Sequence, residues 1–135
     1  MGVRVRYSLA GAVSSTTAEE RDLGNVKWEI VTDQEAKGGT WKTVLLVGAV
    51  DVQLQIDNIS TIQLLVIRTN ARDPNQAPNG ISIKRNLITA EAILIKPLGD
   101  AQEGHFILST DSLTAIYASN PGPSEMELTI VAAGT

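Results

Sequence analysis

Aliphatic residues recur at every second position along most of this chain, in short runs that end at Gly, Pro, Asn or Asp. A period of two belongs to a β-strand, whose successive side chains point to opposite faces; an amphipathic helix would space its apolar residues by three and four. The clearest run sets Val50, Val52, Leu54 and Ile56 against Asp51, Gln53, Gln55 and Asp57, the pattern of a half-buried strand. Val3, Val5, Tyr7 and Leu9 alternate in the same way with Arg4, Arg6 and Ser8. Residues 62–67 are apolar on both sides, as suits the centre of a sheet or a strand beneath a subunit contact. Further strands are expected at 26–32, 42–48, 80–84, 91–96, 105–109, 113–118 and 125–132.

The breaks carry turn chemistry: Lys37-Gly38-Gly39, Asp73-Pro74-Asn75, Pro78-Asn79-Gly80, Pro97-Leu98-Gly99-Asp100 and Asn120-Pro121-Gly122-Pro123. Short strands punctuated every ~8–12 residues predict an all-β fold, an antiparallel β-sandwich that is jelly-roll-like. Thr16–Leu23 could open a helical turn at Thr17, but Leu23 is its one strong apolar residue, so a polar loop is preferred. At 135 residues, 43% of them hydrophobic, the chain can close one good core. No repeat or linker divides it. The expected organisation is an N-terminal strand or arm with its loop over 1–25, then a single sandwich domain over 26–135.

Composition narrows the function. The chain has no Cys, hence no disulfide framework and no thiolate metal site, which suits assembly in a cytoplasm. Arg4 and Arg6 ahead of an apolar stretch imitate a signal peptide, but the stretch is too short and alternates as a strand does. No apolar run approaches the ~20 residues that cross a bilayer as a helix, and no membrane partner is expected. Aromatic residues make up 4% and the net charge is -4, which argues against a stacking platform or a phosphate footprint for nucleic acid.

Catalytic material is sparse. His105, the sole imidazole, opens a predicted strand; it would need a serine or carboxylate, such as Ser109, Asp111 or Ser112, brought to it by the fold. As a metal ligand it would need Glu103 or Asp100, and the plainer role is a strand-end His bonded to backbone. The 15 carboxylates are spread singly, and Glu125 and Glu127, on one strand face, read as a solvated face. Asp73, Asn75 and Asn79 offer oxygens for calcium, without EF-hand spacing, in what is foremost a turn. No catalytic residue, cofactor or metal is therefore assigned. Trp28 shares a face with Val26 and Ile30 and is expected in the core; Trp41, after Gly38-Gly39-Thr40, and Tyr117 are the candidate exposed ligand contacts. Asn58-Ile59-Ser60 matches a glycosylation acceptor and is otherwise a turn.

The C-terminal part carries a family-like pattern. Lys96-Pro97-Leu98-Gly99 is followed by His105–Thr110, by Leu113–Gly122 and by the closing Leu128–Thr135. In strand rhythm and turn placement, over about residues 45–135, these segments resemble the small all-β virion proteins of tailed bacteriophages, especially capsid decoration (cement) proteins. Carbohydrate-binding sandwiches share part of the rhythm. The resemblance implies a non-enzymatic structural protein on the outer capsid, a homotrimer bridging capsomers against the major capsid protein, with residues 1–25 available as an attachment arm. Val44, Leu46, Ile62, Leu64 and Val66, from the apolar runs 44–47 and 62–67, are the candidate subunit or capsid contacts. The alternative is a carbohydrate- or receptor-binding sandwich of a phage tail, which would use Trp41 or Tyr117.

Overall fold

The computed structural model describes residues 5–14, 22–32, 37–70, 80–97 and 102–135. Every regular element among them is a strand: β1 (Val5–Ser14), β2 (Asp22–Thr32), β3 (Lys37–Leu45), β4 (Ala49–Gln53), β5 (Ile62–Thr69), β6 (Ile81–Arg85), β7 (Ile93–Ile95), β8 (His105–Leu113), β9 (Ile116–Asn120) and β10 (Met126–Gly134). The all-β reading holds, but the strand expected at 42–48 ends at Leu45 and the one expected at 113–118 is split between the end of β8 and the start of β9. The chain forms two compact units, Met1–Ala36 and Lys37–Thr135.

The first unit is an antiparallel ribbon of β1 and β2, in register from Val5↔Thr32 to Val13↔Gly24. That register sets Val5, Tyr7, Leu9 and Val13 opposite Thr32, Ile30, Trp28 and Gly24, and Arg6, Ser8 and Ala10 opposite Val31, Glu29 and Lys27. The domain boundary expected after residue 25 falls instead inside β2. Residues 26–32 pair with β1 rather than opening the sandwich, because the ribbon register runs unbroken through them. The loop reading of Thr16–Leu23 lies mostly outside the described residues, as does the calcium reading of Asp73, Asn75 and Asn79.

The second unit is a sandwich of two four-stranded antiparallel sheets, ordered β3-β10-β5-β8 and β4-β9-β6-β7. Alternation decides what fills it. On the first sheet Leu65, Ile67, Leu128 and Ile130 point inward, and on the second Ile81, Ile83, Ile116 and Ala118; each is at most 1% exposed. Burying a side chain of this size is worth about 1.5–3 kcal/mol, so these inner faces hold the sheets together. β5 lies between β10 and β8, and its two-sided apolarity is matched by burial on both faces: Leu64 and Val66, which point away from the core, are 1% and 2% exposed.

The alternation at 50–56 works out differently. The strand stops at Gln53, and Val50 and Val52 are exposed while Leu54 is buried. β4 is an edge strand, and its ladder to β9 slips between Ala49 and Val52, where Asp51 adopts φ 48. An edge strand with a bulge has no neighbour on one side and an extra residue to accommodate, so its apolar side chains are not carried under the facing sheet.

Candidate functional site

The feature that stands out on this sandwich is its apolar corner. As the chain leaves β3, turns and enters β4, it exposes Val44, Leu46, Val47, Val50 and Val52, with Leu46 at 59% and Val50 at 74%. Val44 lies opposite Glu127 on β10, one position before the inward Leu45↔Met126 pair, so it points away from the core. Gly48, at φ 81, makes the tight turn that follows.

The corner is pinned from beneath by Asn120, the last residue of β9 and wholly buried. Its Nδ2 donates to the Leu45 carbonyl at 2.8 Å and to the Ser124 carbonyl at 2.9 Å. Its Oδ1 accepts from the Gly122 N–H at 3.0 Å, and its backbone carbonyl accepts from the Gly48 N–H at 2.8 Å. The side chain thus uses both amide hydrogens and its oxygen to tie the β3–β4 turn to the β9–β10 turn. The two turns abut: a Cβ on Gly122 would stand 3.0 Å from Cγ1 of Val47. On the outer face of the second sheet, Lys84 Nζ lies 3.0 Å from Asp51 Oδ1, and the Asp51 N–H donates to Ser119 Oγ at 2.9 Å, so the bulge is held as well.

The candidate contacts named from the sequence separate on this geometry. Val44 and Leu46 are on the exposed corner, whereas Ile62, Leu64 and Val66 on β5 are buried within the chain. Apolar surface open to a partner is therefore found at 44–52 and not on β5. Trp41 is half-buried and packs on the core, its ring lying over Gly39, where a Cβ would sit 3.0 Å from Cη2 of the indole. Tyr117 is half-buried on the outer face of β9, opposite Lys84 and Gln53. Neither is the projecting aromatic platform that a sugar-stacking role would use. The side chains of Trp28 and Asp111 lie outside the described residues.

His105 opens β8 and is exposed, with Nε2 3.7 Å from Glu103 Oε2; Arg68 Nε reaches the same oxygen at 3.5 Å. The group is a surface cluster with one carboxylate between two basic side chains. Asp100 is outside the described residues, and Ser109, four positions along β8, is paired with Leu64. Among the described residues no three His, Asp or Glu side chains converge as metal ligands. Glu125 and Glu127 are both exposed, as a solvated face requires. Asn58 sits in a turn at φ 66.

Val47 lies in the apolar run 44–47 that the sequence offers without being named singly, and sequence reasoning misses the loop after β6 altogether. There Leu87 and Ile88 are exposed beside a cleft of about 270 Å³ between that loop and β8. Asn86, at φ 65, signals a turn in the sequence but not the cleft beside it.

No protein-family model and no curated protein matches the sequence. A solved structure from Bacillus endospore appendages, which form a family of disulfide-linked pili, is similar with a TM-score of 0.47 and 14% identity, over 74% of this chain and 88% of that one.

Proposed function

We propose that this chain is a non-enzymatic structural protein that joins a larger protein assembly through its β3–β4 corner. One observation carries the reading: Val44, Leu46, Val47, Val50 and Val52 are each exposed along the single stretch that leads from β3 into β4, on a sandwich whose inner faces are packed. Apolar side chains left in water along one connection that a buried hydrogen-bond network holds mark a contact surface rather than a loosely folded edge. At ~25 cal/mol per Å² of apolar area, such a patch gives a contact of a few kcal/mol, and repetition over many sites makes weak contacts sufficient.

In its finer form, the assembly is the capsid of a tailed bacteriophage, which the chain decorates as a homotrimer that bridges capsomers and touches the major capsid protein. The resemblance over about residues 45–135 supports this, and the sandwich is then read as a jelly roll. Supporting that reading, the eight strands divide four and four and the chain changes sheet at every step except β6 to β7. The β1–β2 ribbon, paired from Val5↔Thr32 to Val13↔Gly24, would serve as the arm.

The test combines light scattering on a sizing column at low and high concentration with co-sedimentation on phage capsids lacking their decoration protein. The reading expects a species near three times 14.4 kDa, or capture by the capsid, and loss of both in the Leu46→Lys, Val50→Lys double variant with an unchanged melting temperature. A chain that stays monomeric and does not sediment, or a double variant that assembles as the parent does, overturns it.

A further inference from the structure

Away from the corner, a cleft of about 270 Å³ opens between β8 and the loop that follows β6. Arg85 and Glu91 face it from the loop side, Thr110 and Ser112 from β8, and Ala90 and Leu108 add apolar wall. We propose that this cleft binds a single carboxylated sugar residue of the uronic or sialic acid type. The inference is independent of the assembly reading.

The cleft is built in advance. Asn86 Nδ2 donates to the Ser112 carbonyl at 3.0 Å, and its Oδ1 accepts from the Thr114 N–H at 2.8 Å and from the Thr114 hydroxyl at 3.2 Å. The Asn86 N–H donates to the Ala115 carbonyl at 2.8 Å, and the Ala90 N–H to the Leu87 carbonyl at 3.1 Å. These bonds fasten the loop to the β8–β9 connection, so little ordering remains to be done on binding.

The lining chooses the ligand class. Arg85 and Glu91 carry opposite charges on one small cleft, and neither is ion-paired with a described residue. A simple anion would be attracted by Arg85 and repelled by Glu91, a simple cation the reverse, and an apolar molecule would strip water from both without replacing it. A carboxylate on the guanidinium, in the bidentate geometry that arginine favours, leaves Glu91 needing donors. Sugar hydroxyls are such donors, and they also partner the hydroxyls of Thr110 and Ser112, which stand 3.5 Å apart. An α-amino acid would satisfy the two charges and leave Thr110 and Ser112 with only their bond to each other. Ala90 and Leu108 in the wall supply apolar surface for the C–H face of a ring. The volume lies just under the ~300–1,000 Å³ usual for ligand pockets, which limits the occupant to one residue of a glycan.

The test is an amide chemical-shift titration of the full chain with glucuronate, galacturonate and N-acetylneuraminate, with glucose and glycine as controls. The expected result is saturable shifts confined to residues 85–91 and 108–113 for at least one acid sugar, with a Kd on the order of millimolar. Arg85→Gln should weaken binding about tenfold or more, with the melting temperature unchanged because the side chain is exposed. Absence of saturable shifts with all three acids, shifts lying elsewhere, equal response to glucose, or an unaffected Arg85→Gln variant would each overturn the proposal. Saturation by glycine at equal strength would overturn it too, since the site would then be reading a zwitterion.

Discussion

Replacing Asn120 with Ala should destabilise the sandwich by about 2–6 kcal/mol. Three side-chain hydrogen bonds disappear at once, to the carbonyls of Leu45 and Ser124 and from the N–H of Gly122. The bond to Leu45 is buried, so that carbonyl is left without a partner at a cost of about 1–3 kcal/mol. The other two are part-buried and can recruit water, so each counts for about 0.5–1.5 kcal/mol. What survives is the backbone bond from the Gly48 N–H to the Asn120 carbonyl and the ladder pairing of Asn120 with Ala49. Urea unfolding followed by Trp41 fluorescence would measure the loss, in a Trp28→Phe background, since Trp28 belongs to the ribbon and Trp41 packs on the sandwich core. Asn120→Asp should be no better than Ala: it keeps the shape but turns acceptor oxygens toward two carbonyls that need a donor. A loss below about 0.5 kcal/mol for Asn120→Ala would refute the reasoning, and the corner would then be held by backbone pairing alone. On the proposed assembly reading, the same variant should also weaken assembly, because the amide ties down the turn that presents Leu46, Val47 and Val50.

Gly134→Ala should cost about 1–3 kcal/mol or prevent folding, since a Cβ there would be driven into the Thr61 carbonyl, and the backbone bonds between Thr135 and Ser60–Thr61 would have to open; differential scanning calorimetry reads this directly. Lys84→Met should cost at most about 1 kcal/mol, because the Asp51 pair is 24% exposed on each side chain, and the difference from the parent should shrink in 1 M salt; an undiminished difference at high salt would point to lost packing of the lysine stem instead.

How far the sequence carries can be followed strand by strand. In β10, Met126, Leu128, Ile130 and Ala132 alternate in the sequence and are all buried in the structure; Ile81 and Ile83 in β6, and Ile116 and Ala118 in β9, do the same. Those positions are legible because the side-chain period of a strand is local geometry, and Gly, Asn and Pro mark the turns through their own backbone preferences. Of the candidate contacts, Val44 and Leu46 fall on exposed surface and Leu64 and Val66 do not, although all four sit in equally apolar runs.

Period alone says which residues share a face; it does not say whether anything lies over that face. The alternation sets Val50 and Val52 on one face with the buried Leu54, yet both are exposed because β4 is an edge strand broken by a bulge at Asp51. The ribbon's claim on residues 26–32 and the cleft beside β8 likewise come from pairings between distant segments. Alternation and turn chemistry determined an all-β chain and most of its inner faces. The order of strands in the sheets, which depends on contacts remote in sequence, decided which apolar residues remain in water and where a partner can reach them.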